Sequence, residues 1–246
     1  MYEFMQAHPL TLTVIAAAVL VAPFYLLATF VRGGASTNVG VALGFATVAW
    51  GGVVTWVCLA RVPDRIGMLG LLVVPVSWLT PSLLIVLCWT RIRGSRLSQH
   101  WLIGLQLWRA IGGLFLVEMA RGNLPGIFVY PAGVGDLIVA ALAGVVLWRY
   151  RKSTIPPAAV LLVAGVGLAD FAGAFFFGFF SSDGPQQLFT PTTPNNVLLY
   201  PTGMIPLFLV PYAIAFHTLS LLELRRSTIA SYADQPASCS GVKVAG

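Results

Sequence analysis

The sequence predicts an all-α integral membrane protein with seven transmembrane helices. Of its 246 residues, 58% are hydrophobic and only 9% are charged, whereas soluble domains average about 25% charged residues. The mean hydropathy is +0.87. Seven apolar stretches also approach the ~20 residues that a helix needs to cross a bilayer. The lipid bilayer is therefore the first partner that we expect.

The seven stretches are bounded by Arg, Gly, Pro or Asn, residue types that commonly mark helix ends. They are Leu10–Val31, Asn38–Ala60, Ile66–Thr90, Gln99–Ala120, Gly126–Trp148, Pro157–Phe180 and Val197–Leu222. Together they form one transmembrane domain over residues 1–224. Residues 225–246 are predicted to form a disordered cytoplasmic tail, and no length remains for a separate soluble domain.

Basic residues are concentrated in alternate connections between the spans. The first, third and fifth connections and the tail hold ten Lys and Arg residues, and the other connections hold three. The ten are Arg32, Arg91, Arg93, Arg96, Arg149, Arg151, Lys152, Arg225, Arg226 and Lys243; the three are Arg61, Arg65 and Arg121. Because basic connections stay in the cytoplasm, we expect the N-terminus outside and the C-terminus inside. The net charge of +6 thus reflects topology and does not indicate nucleic acid.

Three charged residues lie near the middle of three consecutive spans. Arg109 is in the fourth span, Asp136 in the fifth and Asp170 in the sixth. A charge at mid-depth costs several kcal/mol unless it is paired or wetted, so such residues usually mark a working site. Antiparallel neighbouring helices bring residues of equal depth together, and the three are predicted to form one site.

Small residues share the helical faces of these charges, which favours close helix approach or a cavity. The predicted faces are Gln106, Arg109 and Gly113; Gly133, Asp136 and Ala140; and Gly167, Asp170, Gly173, Ala174 and Phe177. Glu118 falls on the opposite side of the fourth span from Arg109 and is assigned to the outer boundary. His217, alone in the inner half of the seventh span, is interpreted as a packing residue.

One cation and two carboxylates leave one acid unpaired. Arg109 stays protonated and is expected to hold Asp136, in a glycine-rich stretch, as its counter-ion. Asp170 lies among phenylalanines and is predicted to keep a proton and act as a general acid, a division of roles known for paired carboxylates. Gln106 is predicted to be an orienting donor. The alternative is that the three charges form an inert clamp between helices.

Deep aromatic residues suggest a pocket for a lipophilic small-molecule substrate. Phe177, Trp78, Phe115 and Tyr200 are the predicted lining residues, and core filling is the alternative interpretation. The sequence lacks H-E-x-x-H, C-x-x-C, G-x-S-x-G and paired Asp-rich motifs, so no metal and no cofactor is predicted. A homo-oligomer is left open.

The stretches WLIGLQLWRAIGGLFLVEMARGNLPGIFVYPAGVGDLI and IPLFLVPYAIAFHTLSLLELRR resemble uncharacterised bacterial multi-pass membrane proteins over about the last 150 residues. That resemblance implies the bacterial cytoplasmic (inner) membrane. In architecture, the chain is similar to transmembrane terpene cyclases, which have about seven helices and membrane-embedded acids that protonate a prenyl substrate.

The favoured hypothesis is an integral-membrane enzyme, a cyclase or isomerase, that uses acid–base chemistry on an isoprenoid or other lipid. A small proton-coupled transporter with the same triad as its proton relay is the first alternative. Paired prolines in both the third and the seventh span hint at the internal repeat that transporters often have. A non-catalytic membrane subunit or sensor is the second alternative.

Overall fold

The computed structural model describes residues 7–65, 70, 72–87 and 96–233. This part of the chain consists of helices and connections, without a strand. We number the main helices α1 to α7. They are α1 (Pro9–Arg32), α2 (Thr37–Leu59), α3 (Val73–Leu87), α4 (Gln99–Ala120), α5 (Gly126–Arg149), α6 (Pro157–Ser181) and α7, which is a π-helical turn (Ile205–Leu209) followed by an α-helix (Val210–Ala233). A single turn, Val62–Arg65, follows α2.

Six of these helices, all except α3, are long and apolar enough to cross a membrane, counted over the described residues. The chain is therefore a multi-pass membrane protein. The described part of α3 has 15 residues, which correspond to about 22 Å of helix at 1.5 Å per residue. Both ends of the predicted third span, Ile66–Thr90, lie partly outside the described residues.

The last helix differs from its prediction at both ends. Residues 197–203 form turns, so the chain bends before α7 begins. The turns are so tight that a side chain at Gly203 would overlap the backbone of Leu198. At the other end the helix continues to Ala233, because neither Pro nor Gly occurs between Pro211 and Pro236. The predicted disordered tail is corrected for residues 225–233, and its remainder lies outside the described residues.

Helix α7 lies at the centre of the bundle. In its apolar 18-residue stretch, 67% of the residues are buried, against 33% in those of α1 and α2. The helix packs against α3, α4 and α6. Helix α4 packs along α5, and α5 packs on α6. The three helices that carry the predicted charged residues are therefore consecutive neighbours beside the central helix.

Three helices depart from α-helical winding over part of their length. In α4, Leu105–Gly113 is a 3₁₀-helix. In α5 and α7, the stretches Tyr130–Val134 and Ile205–Leu209 are π-helical, each with a proline in its first turn. Proline lacks the N–H that would close an α-helical bond. Such single π turns occur frequently at functional sites.

Glu118, at the end of α4, fastens the start of α1. Its carboxylate accepts hydrogen bonds from the Thr11 hydroxyl at 2.5 Å, the His8 backbone N–H at 3.1 Å and the Asn123 side chain at 2.6 Å. Glu118 is 1% exposed. The three donors satisfy the Glu118 carboxylate, which allows it to be buried. Glu118 therefore connects α4 to the start of α1.

Replacing Glu118 with alanine is expected to destabilise the folded protein by about 1–3 kcal/mol, because it leaves buried donors without an acceptor. Unfolding in mixed micelles of increasing SDS fraction measures the loss. Glu223→Ala serves as the matched control, since Glu223 makes a 3.7 Å ion pair with the partly exposed Arg226. Such a pair contributes at most about 1 kcal/mol. Equal losses in the two variants would contradict the anchor.

Candidate functional site: a buried guanidinium between two carboxylates

Arg109 is the centre of the candidate site. Its Nε donates to Oδ1 of Asp136 at 2.7 Å, its Nη2 donates to Oδ2 of Asp170, and its Nη1 donates to the Gly167 carbonyl at 3.1 Å. The Phe171 ring lies against the guanidinium, with its centroid 3.8 Å from Cζ. Arg109, Asp136 and Asp170 form the charged centre, and the side chains are 2%, 8% and 9% exposed.

The charged centre differs from its prediction in one respect. The three residues lie together, as their similar predicted depths in the membrane indicate. Arg109, however, pairs with both carboxylates rather than with Asp136 alone. The prediction that Asp170 is the unpaired acid is therefore corrected. The guanidinium has donors on two edges, so one arginine binds two separate carboxylates. In the described part of the chain, Arg109 is the only cation within ion-pair distance of either one.

Three glycines make room for the buried charges. A side chain at Gly112 would overlap the Asp136 carboxylate, and one at Gly135 would overlap the Asp170 carboxylate. A Cβ at Gly167 would meet the His217 ring and lie 3.1 Å from Nη1 of Arg109. The charged centre is therefore held by close backbone contact as well as by ion pairs.

Gly112, rather than the predicted Gly113, lies on the helical face of Arg109, because the helix is 3₁₀-helical there. In a 3₁₀-helix, residues three apart are eclipsed, and Gln106, Arg109 and Gly112 are accordingly all buried. Gly113 instead faces Leu137, which a Cβ would meet at 3.2 Å. An α-helical count cannot anticipate this one-residue shift.

A pocket begins at the two carboxylates. Its polar lining residues are Asp136, Asp170 and Ser182, and every other lining side chain is apolar or absent. From the charged centre it runs along α6 toward Ser182 and Val197, at the connection between α6 and α7. Lipophilic ligands are bound in pockets with mainly apolar walls and a few polar groups.

Aromatic side chains form much of the pocket wall. Trp78 lines it, donates its Nε1–H to the Pro206 carbonyl at 2.9 Å and lies 5.5 Å from the Phe175 ring. Phe115 also lines the pocket and packs edge-on against Phe128 at 5.3 Å. Both predicted residues thus face the space above the carboxylates.

Two other predicted lining residues lie outside this pocket. The residues that face it from α6 and its C-terminal cap are Asp170, Phe171, Ala174, Phe175, Gly178, Phe179 and Ser182. The pocket lies on the Phe171 side of Asp170. Phe177, two turns beyond Asp170, lies outside this face, and its ring stacks on the Phe189 ring with 5.9 Å between the centroids. Tyr200 packs against the hydrophobic core in the turns before α7. The assignment of Phe177 and Tyr200 to the pocket is corrected.

Gln106 and His217 lie on the other side of the charged centre from the pocket. The Gln106 amide donates to the Ala213 carbonyl at 3.3 Å rather than to a carboxylate, so its predicted orienting role is not seen in the contacts. The sequence treated His217 as packing, yet its ring contacts Gly167 beside Arg109 and lies edge-on to Phe171 at 6.2 Å. A polar ring inside an apolar span was the available signal.

Gly135→Ala is expected to displace the Asp170 carboxylate from Arg109. Overpacking of a buried contact typically costs about 1–3 kcal/mol, measurable by SDS-induced unfolding. Gly144→Ala on the same helix is the control, because its Cβ would meet Leu107 at an ordinary 3.6 Å. We expect Gly144→Ala to be neutral or stabilising, since alanine is the better helix former. Identical behaviour of the two variants would refute this packing.

Comparison with known proteins identifies one family. A family described as "Domain of unknown function (DUF8737)" matches residues 66–225. This range contains α3 to α6, most of α7 and every residue of the charged centre. No curated protein and no solved structure matches the chain.

Proposed function

The chain belongs to the family described as domain of unknown function (DUF8737), and we propose that it is a membrane-embedded enzyme for a lipophilic substrate. The proposed chemistry is acid–base catalysis of a cyclisation or isomerisation, with one carboxylic acid of the charged centre as the proton donor. The observation that carries the proposal is the pocket of apolar walls that ends on Asp136 and Asp170.

Charge counting supports a proton on the carboxylate pair. With both acids ionised, the charged centre has one positive and two negative charges, and an uncompensated charge is costly in a buried site. One proton shared by Asp136 and Asp170 makes the centre neutral. The centre therefore has one proton available to donate, and it regains neutrality when that proton returns.

The pocket favours a neutral hydrocarbon substrate with double bonds. Apart from the carboxylates, its lining offers only the Ser182 hydroxyl as a polar side chain, which leaves a charged headgroup without partners. Trp78, Phe115 and Phe171 present ring faces and edges to the space above the acids. Aromatic faces stabilise cations, and a protonated alkene is a cation. An isoprenoid lipid fits these requirements.

In the reaction that we propose, the shared proton moves from a carboxyl oxygen to an alkene carbon of the substrate. The π-electron pair forms the new C–H bond, and the neighbouring carbon becomes cationic. Either carboxylate then removes a proton from an adjacent carbon to form a new double bond. The product has the composition of the substrate, and the centre recovers its proton.

Proton-coupled transport is the second candidate. A small cavity adjoins the charged centre, lined by Trp108, Arg109 and Ala213 among others, and it shares Asp136, Phe171, Ile205 and Val210 with the pocket. Two cavities that meet at a buried charge are what alternating access requires. In either case we propose α3 as a seventh span, the N-terminus outside, and the bacterial inner membrane as the location.

The test combines binding and turnover. Protein purified in mild detergent is incubated with squalene and with polyprenols, and the products are separated by chromatography before mass spectrometry. We expect isomers of unchanged mass but new retention time. Ala174→Trp fills the pocket and should abolish them, whereas Leu161→Trp, whose site is 54% exposed on the same helix, should not.

Two outcomes would overturn the enzyme proposal. One is bound lipid that is recovered unchanged by the wild type under all conditions. The other is substrate movement across proteoliposomes that Ala174→Trp blocks, without any new isomer. The second outcome would establish transport instead.

A further inference from the structure

A line of buried polar side chains leads away from the charged centre, on the side opposite the pocket. It lies between α4 and α7 and consists of Gln106, His217, Ser220 and Gln99. The first three are 1%, 2% and 3% exposed. Polar groups at membrane depth are expensive and face interior sites that use them, whereas packing alone would be served by apolar residues.

At the Gln99 end of this line the polar groups bind each other. The Ser220 hydroxyl donates to Oε1 of Gln99 at 2.5 Å, and the Gln99 amide donates to the Ser220 carbonyl at 2.9 Å. Gln99 is the first residue of α4 and is half-buried. The pair therefore lies where the line meets the surface of the bundle.

At the end beside the charged centre, two polar atoms lack a hydrogen bond. Oε1 of Gln106 and Nε2 of His217 are buried, and neither has a hydrogen-bond partner among the described residues. One is an acceptor and the other is a ring nitrogen that can donate. An unpaired buried polar atom costs about 1–3 kcal/mol, and in native proteins such atoms are usually paired through an ordered water.

Both unpaired atoms belong to side chains beside the charged centre. Gln106 donates to the carbonyl of Ala213, and His217 is one turn further along α7. Helical side chains lean over the turn that precedes them, so the His217 ring leans toward Ala213. That ring also contacts Gly167, whose carbonyl binds Nη1 of Arg109. The small cavity beside the charged centre is lined by both Ala213 and Asp136, so it connects the Gln106 end of the line with a carboxylate.

We propose that Gln106 and His217 hold water, and that this hydrated line is the route by which the carboxylates exchange protons with the aqueous phase at the Gln99 end. The inference rests on the proposed function for the use of the proton, but not for the water. An apolar substrate in the pocket keeps water away from the acids on that side, so this line supplies their contact with water. Turnover returns the proton from the substrate to the carboxylate pair, and the route protonates the pair before the first turnover and after any loss of a proton to water.

Water at His217 can be measured without any substrate. The chain has three histidines, His8, His100 and His217. Protein with ¹⁵N-labelled histidine rings is reconstituted into bilayers, and transfer of magnetisation from water to each ring is followed by solid-state NMR. His217→Asn assigns the signals. We expect the buried His217 ring to be polarised by water about as fast as the half-buried His100 ring.

Gln106→Leu removes the acceptor and should slow the transfer to His217 several-fold while leaving His100 unchanged. Gln99→Leu, at the far end of the line, provides a second variant if Gln106→Leu fails to fold, and it should slow the transfer too. A His217 ring that receives no magnetisation from water, or variants that leave its transfer rate unaltered, would overturn the route. Either result leaves the lipid turnover test standing, so the two failures are distinguishable.

Discussion

Replacing Arg109 with methionine is expected to destabilise the folded protein by about 3–5 kcal/mol, the cost of removing one partner from a buried ion pair. Arg109 is the only described cation near Asp136 and Asp170. Its loss leaves both carboxylates in an apolar bundle without a counter-charge. The SDS-induced unfolding midpoint should fall accordingly, and expression should drop because such a loss is a large part of total stability.

Two controls make this result specific. Arg65→Met removes a charge from an exposed position and should change stability by no more than about 0.5 kcal/mol. Combining Arg109→Met with Asp136→Leu and Asp170→Leu removes the whole charged centre. Apolar replacement of a complete buried ion pair is often neutral or stabilising, so this triple variant should recover most of the loss. A triple variant as unstable as Arg109→Met would show that charge is not the cause.

Asp170→Asn is expected to reduce lipid turnover about 10²–10⁴-fold, the range contributed by a general acid, without loss of stability. The substitution leaves one guanidinium and one carboxylate, which balance each other. It also keeps the size of the side chain in the pocket floor. The isomer assay measures turnover, and retention of the bound lipid during purification shows that the pocket is intact.

A comparison of the two single variants, Asp136→Asn and Asp170→Asn, decides between catalysis and an inert clamp. An inert clamp predicts that both variants change stability and that neither changes lipid chemistry. The catalytic proposal predicts that both abolish turnover, because the proton is shared. If only Asp136→Asn abolishes turnover, the donor is Asp136, whose carboxylate rests on Gly112, and the assignment of the acid moves there.

Depth along the helices was the part of the site that the sequence could predict. Arg109, Asp136 and Asp170 are near the centres of three consecutive spans, and neighbouring antiparallel helices of similar length must bring them to one level. The lengths of α4, α5 and α6 agree with their predicted ranges within one residue at each end, because Gly, Pro and polar residues bound them clearly.

Rotation about the helix axis was less predictable. Gly113 and Phe177 were assigned by α-helical periodicity, but α4 is 3₁₀-helical at Arg109, and the pocket lies to one side of Asp170. The double pairing of Arg109 has a similar origin. Counting charges identifies an imbalance, but it does not show that one guanidinium reaches two helices at once. That depends on Gly112 and Gly135, which allow the carboxylates to approach the backbone.

The π-helical turns have a consequence for how this chain should be compared with its relatives. A π turn contains one residue more than the α turn it replaces and absorbs that residue locally, so the helix on either side keeps its orientation. A relative with an α turn in place of Tyr130–Val134 would be one residue shorter there and would still direct its acid toward the arginine. Relatives that carry the acid one position out of register are therefore expected to differ by a one-residue gap at this turn, and alignments that forbid gaps inside membrane spans will pair Asp136 with the wrong residue.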